Sequence, residues 1–147
     1  RIGRNLFVHA GLSARLLERD LEIETLNARM SEGLYRTSKE RREDPTLEFL
    51  YRSAGPVWYR GMVCTDEKYD PLTPEQTDAL LRRYDADRLL IGHTIFPDIS
   101  TFHDGRVIAV NVQNERNRRK NRGRAVLIEG SRISVVGNRG VKRVLEE

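Results

Sequence analysis

The chain has 147 residues, 38% hydrophobic and 33% charged, with a formal net charge of +4, which suits one ordinary domain built round a single core. No stretch reaches the roughly 18 consecutive apolar residues of a membrane span, and no signal-peptide pattern is visible, so a soluble chain with no membrane partner is expected. Its single Cys64 excludes an internal disulfide, leaving packing or metal to stabilise the fold, and a cytoplasmic location is the expectation.

The sequence opens Arg1-Ile2-Gly3-Arg4-Asn5 without an initiator Met and enters a β-like run at once, so Arg1 reads as an internal residue of a longer protein. Asn5 to Ala10 is a short apolar segment closed by Gly11, the pattern of a buried strand ending at a loop, with His9 at its C-terminal end. From Ser13 to about Arg36, Leu16, Leu17, Leu21, Ile23, Leu26, Met30 and Leu34 form a broken apolar face at helical spacing, which predicts one or two helices. Lys39 to Asp44 is charged and turn-like. Asp44-Pro45 then offers an N-cap and a first-turn proline for a short helix over Thr46 to Arg52. After the Ser53-Ala54-Gly55-Pro56 break, Val57-Trp58-Tyr59-Arg60-Gly61 reads as a functional loop.

Thr73-Pro74-Glu75-Gln76 is a capping box with proline at the first helical position, predicting a helix to about Tyr84. Arg88 to Ile91 is the next strand, ending at Gly92-His93-Thr94. Beyond it the hydrophobic period changes to two. Ile99 to His103 and Arg106 to Val112 flank Asp104-Gly105, and Ala125 to Glu129 and Arg132 to Val136 flank Gly130-Ser131, so two β-hairpins are expected. Between them Arg116, Arg118, Arg119, Lys120, Arg122 and Arg124 crowd into nine residues. Such a run can attract phosphate or nucleic acid, but no aromatic residue interleaves it to stack a base, and a polar surface loop over Asn114 to Gly123 is the favoured reading.

A single histidine at a strand end is more often structural than catalytic, and that reading stands for His9 and His93 taken one at a time. Together they repeat one context, Leu6-Phe7-Val8-His9-Ala10-Gly11 and Leu89-Leu90-Ile91-Gly92-His93-Thr94, 84 residues apart, and strand ends are where α/β sheets collect ligands. These two blocks, with Gly55-Pro56-Val57-Trp58-Tyr59-Arg60-Gly61 between them and Asp104 to Asn111 and Gly123 to Gly130 after them, resemble the C-terminal half of the calcineurin-like metallophosphoesterases, in the bacterial phosphoprotein-phosphatase branch. The resemblance spans nearly the whole chain. Ala10 stands where many relatives carry glycine.

The resemblance implies an α/β fold forming part of a four-layer αββα sandwich, with this chain as residues 1–147 of its C-terminal portion. It implies His9 and His93 as ligands of one metal in a two-metal centre of manganese, iron or zinc, and Arg60 as the catalytic, substrate-binding residue that clamps the phosphate. The family's three earlier motifs, which carry the remaining ligands and the leaving-group acid, have no counterpart in these residues, so the chain by itself is expected to be inactive. The expected activity is hydrolysis of a phosphorylated protein by metal-activated water. Dinucleoside polyphosphate hydrolysis, a non-catalytic binding module and nucleic-acid binding through the basic run are the alternatives. His103 matches no metal-binding position and is expected to be a strand residue.

Overall fold

A computed structural model describes every residue except 121 and 147. Four strands make the central sheet: β1 (Asn5–Val8), β2 (Arg88–Ile91), β3 (Ser100–Phe102) and β4 (Val107–Ala109). Their order is β1-β2-β4-β3, with β1, β2 and β4 parallel and β3 antiparallel at one edge. Leu89, Leu90 and Ile91 of β2 are all buried, because a strand in the middle of a parallel sheet is covered on both faces and so reads as a continuous apolar run rather than an alternating one.

One face of this sheet is covered by helices. They are α1 (Ile23–Leu34), α3 (Pro45–Tyr51) and α4 (Pro74–Arg83), while α2 (Ser38–Glu43) lies against α3 and buries no residue of its own. Leu47, Phe49 and Leu50 of α3 and Leu80 and Leu81 of α4 are buried, and most of them share one cluster with Leu6, Leu89, Ile91, Val107 and Ala109 from the sheet. The other face is covered by a second, antiparallel sheet of β5 (Arg124–Glu129), β6 (Arg132–Gly137) and β7 (Gly140–Glu146) in that order. There Ile133 and Val135 pack with Leu90, Ile99, Ile108 and Val112 in a separate cluster.

The layering corrects the expected four-layer metallophosphoesterase sandwich. The described residues stack as helices, sheet, sheet, and the outward residues Ala125, Leu127 and Glu129 of β5 are exposed, so no outer helical layer covers that strand. The sheet that carries the histidines is mainly parallel, while the hairpins form a small sheet of their own.

Several local expectations are also revised. The segment from Ser13 to Leu21 is not helical beyond one 3₁₀ turn at Ala14–Leu16. Ser13 is fully buried and its hydroxyl donates to the Ala54 carbonyl at 2.8 Å, a tertiary bond that holds the chain extended there. The charged stretch taken for a turn is α2, begun by a capping box in which the Thr37 hydroxyl accepts from the Glu40 amide and the Glu40 carboxylate accepts from the Thr37 amide. In the basic run, Asn114–Arg119 is a short helix, α5, which replaces the expected loop over most of its length; residue 121 lies outside the described residues. Arg124 is not part of a free patch: its guanidinium donates to Asp98 at 2.9 Å and its side chain is only 11% exposed.

Candidate active site

Strand register brings the two histidines together. Val8 pairs with Ile91 across the parallel β1–β2 ladder, so His9, one residue beyond β1, and His93, two beyond β2, emerge at the same C-terminal edge of the sheet. The Gly92 amide donates to the His9 carbonyl at 2.9 Å and extends the ladder by one bond. The rings meet with His9 Nε2 and His93 Nδ1 3.1 Å apart. One nitrogen donates and the other accepts, so the pair shares a single proton in that contact.

His93 sits at φ +59°, in the left-handed region, which a side-chain-bearing residue adopts at a cost of order 1–3 kcal/mol. Its Nε2 is buried with no hydrogen-bond partner. Burial holds its pKa below the ordinary histidine value, helped by the nearby positive Arg60 and by His9. Near neutral pH the ring is therefore an uncharged donor and acceptor. His9 by contrast is exposed.

Arg60 reaches this edge from the loop between α3 and α4. The Ala10 amide donates to the Pro56 carbonyl at 2.9 Å, seating the loop on the end of β1. Glycines are required at both ends of the loop: a Cβ on Gly55 would lie 2.1 Å from the Leu50 carbonyl oxygen, and one on Gly61 would lie 2.4 Å from the Asp70 carbonyl oxygen. Tyr59, buried between them, donates its hydroxyl to the Asp70 carbonyl at 2.5 Å, and burial pushes its pKa well above the usual phenol value, so it stays a donor. Arg60 donates to the Thr94 hydroxyl at 3.3 Å, and Trp58 stands edge-on to the His93 ring at 5.3 Å between centroids.

The three sequence-predicted residues, His9, Arg60 and His93, thus converge. Thr94, adjacent to His93, accepts from the guanidinium and was not singled out from the sequence, and Trp58, within the predicted functional loop, stands against the imidazole. His103 is a turn residue just past β3 rather than a strand residue: its Nε2 lies 3.0 Å from the Met62 carbonyl and its Nδ1 3.2 Å from the Thr77 hydroxyl, tying the turn to α4. It takes no part in the site.

Comparison with known proteins places the fold. No protein-family model matches the chain, and no curated protein matches it. Among solved structures, a cold-active protein tyrosine phosphatase determined at 1.1 Å matches with a TM-score of 0.84 and 24% identity over 96% of this chain and 39% of its own. The cold-active protein-tyrosine phosphatase of a psychrophilic Shewanella species matches with a TM-score of 0.84 and 25% identity over 97% of this chain and 40% of its own, and a point mutant of a cold-active protein tyrosine phosphatase matches equally well. The chain therefore has the fold of proteins described as tyrosine phosphatases, and spans about two-fifths of their length.

These matches overturn the calcineurin-like metallophosphoesterase resemblance and the manganese, iron or zinc centre that came with it. The donor set agrees: among the described residues no three His, Cys, Asp or Glu side chains come together to hold a metal ion, and His9 and His93 face one another with no carboxylate beside them. Two imidazoles without a third donor do not build a tight divalent site. The alternatives of dinucleoside polyphosphate hydrolysis, a non-catalytic module and nucleic-acid binding gain nothing from the comparisons. Among the described residues no helix is long and apolar enough to cross a membrane.

Proposed function

We propose that this chain supplies the phosphate-handling edge of a phosphatase acting on phosphotyrosine in proteins. The observation that carries the reading is the meeting of His9, His93 and Arg60 at the C-terminal ends of β1 and β2, in a fold shared over nearly the whole chain with proteins described as tyrosine phosphatases.

Arg60 is the phosphate ligand. A planar guanidinium donates to two phosphate oxygens at once, and its charge offsets the negative charge that builds on the non-bridging oxygens as phosphorus is attacked. Thr94 takes one donor of that guanidinium and leaves the rest of the fork for the ester. In hydrolysis the bond from phosphorus to the tyrosine oxygen breaks, water supplies the new oxygen, and the leaving phenolate takes up a proton. The His9–His93 pair is placed to hold and pass that proton, His9 as the exposed partner and His93 as the uncharged one behind it.

Steady-state kinetics on a phosphotyrosyl peptide test this. Arg60→Ala lowers kcat/KM by about 100-fold or more, the usual loss for a donor to transition-state charge, and Arg60→Lys recovers only part of it because an ammonium cannot form the bidentate fork. Wild-type kinetics from Arg60→Ala would remove the residue from the site.

A further inference from the structure

We propose that the groove beside Trp58 selects phosphopeptides with acidic residues next to the phosphotyrosine; the inference rests on the phosphatase reading above and concerns its substrate. The groove measures about 690 Å³ and its walls include Arg15, Arg52, Trp58, Lys68, Tyr69 and Asp70. Trp58 joins it to the active edge, since the same indole that lines the groove stands 5.3 Å from His93. Trp58 and Tyr59, the two residues before Arg60, both line the groove, so it opens next to a phosphate held at Arg60, within reach of flanking residues that advance roughly 3.3–3.6 Å each in an extended peptide.

The walls are positive. The lining carries three cations, Arg15, Arg52 and Lys68, to one carboxylate, Asp70, and the ion pair that each cation makes is exposed to solvent. Arg15 lies 4.0 Å from Asp70 with its side chain 60% exposed. Arg52 lies 3.3 Å from Glu48, and Lys68 lies 2.8 Å from Asp66, both on exposed side chains. Ion pairs of that kind contribute little and exchange readily for a new partner. The three come from separate segments: the 3₁₀ turn at Ala14–Leu16, the end of α3, and the 3₁₀ turn at Glu67–Tyr69. Only the tertiary fold assembles them.

The walls are also held in place. The Tyr59 hydroxyl ties the turn carrying Lys68, Tyr69 and Asp70 to the Trp58–Gly61 loop, with Asp70 in the left-handed region at φ 53°. The Tyr51 hydroxyl donates to the Met30 carbonyl, fixing the aromatic floor. A preformed positive groove with aromatic sides favours carboxylates over neutral side chains and steers acidic peptides toward the site.

The test uses two phosphotyrosyl peptides of equal length, one with flanking glutamates and one with flanking serines, alongside p-nitrophenyl phosphate. The full chain is expected to turn over the acidic peptide with a kcat/KM about 10-fold higher at low salt, shrinking as ionic strength rises. Arg15→Glu/Arg52→Glu erases the preference while leaving p-nitrophenyl phosphate turnover within about twofold, and Lys68→Glu, a single surface change, reduces it in part. Fluorescence anisotropy of the two labelled peptides reads the same preference without turnover. Equal affinity and equal kcat/KM for both peptides, or a preference that survives charge reversal, overturns the groove assignment. Selective binding with no turnover of any ester would instead overturn the phosphatase reading and leave the groove standing.

Discussion

At the scale of single residues, His93 carries the most information. It has a left-handed backbone and a buried unpaired Nε2, two features that each cost stability and that cluster where function requires a defined geometry, and it makes a hydrogen-bond contact with His9. Because burial, Arg60 and His9 hold its pKa below the ordinary value, the unfolded chain binds the proton more readily than the folded one. Stability therefore falls as pH drops through the ordinary histidine range, until the lowered folded pKa is reached. Thermal unfolding followed from pH 7.5 to pH 5 should show a drop in Tm that is smaller in His93→Asn. An identical pH dependence in the two proteins would show that His93 does not carry the linkage.

At the scale of elements, the helix starts explain why the loops lie where they do. The Thr73 hydroxyl accepts from the Gln76 amide at 3.2 Å and the Gln76 side chain accepts from the Thr73 amide at 2.9 Å. With Pro74 at the first position, this sets the point at which the chain leaves the active loop and enters α4. Thr73→Ala should cost about 1 kcal/mol, measured as a lower urea midpoint with unchanged m-value. The same chemistry at Thr37 and Glu40 starts α2. Read along the chain, Thr37-Ser38-Lys39-Glu40 was as clear a helix signal as Thr73 to Gln76. It was obscured by the charged residues after it, which give no apolar face because α2 has no buried residue. The strand β7 was missed for a related reason: most of its residues are exposed, so it has little hydrophobic pattern, and pairing with β6 defines it.

At the scale of the molecule, the central sheet separates two apolar clusters, one under the helices and one under the small sheet. Leu89 lies wholly buried in β2, between β1 and β4, and Ile133 lies wholly buried in the small sheet. Leu89→Ala and Ile133→Ala should each cost about 2–5 kcal/mol. If the layers fold as one unit, both variants shift a single chemical-denaturation transition, whereas a separate early transition confined to Ile133→Ala would show the small sheet unfolding alone.

Much of this molecule was determined locally. The strands β1 and β2, the caps of α3 and α4 and the Gly130-Ser131 hairpin turn were legible because each depends on side-chain period, turn chemistry or a short motif acting within a few residues. Only the tertiary structure decided the rest. The register of Val8 against Ile91 makes neighbours of two histidines 84 positions apart, and the Ala10–Pro56 bond carries Arg60 to them. The layer count, and with it the family resemblance, failed for the same reason: short motifs name residue types at spacings, while the stacking of helices and sheets depends on which apolar faces find one another across the whole chain. The donors that surround a histidine pair likewise come from distant segments, so a ligand set inferred from two strand ends could not be completed from the sequence.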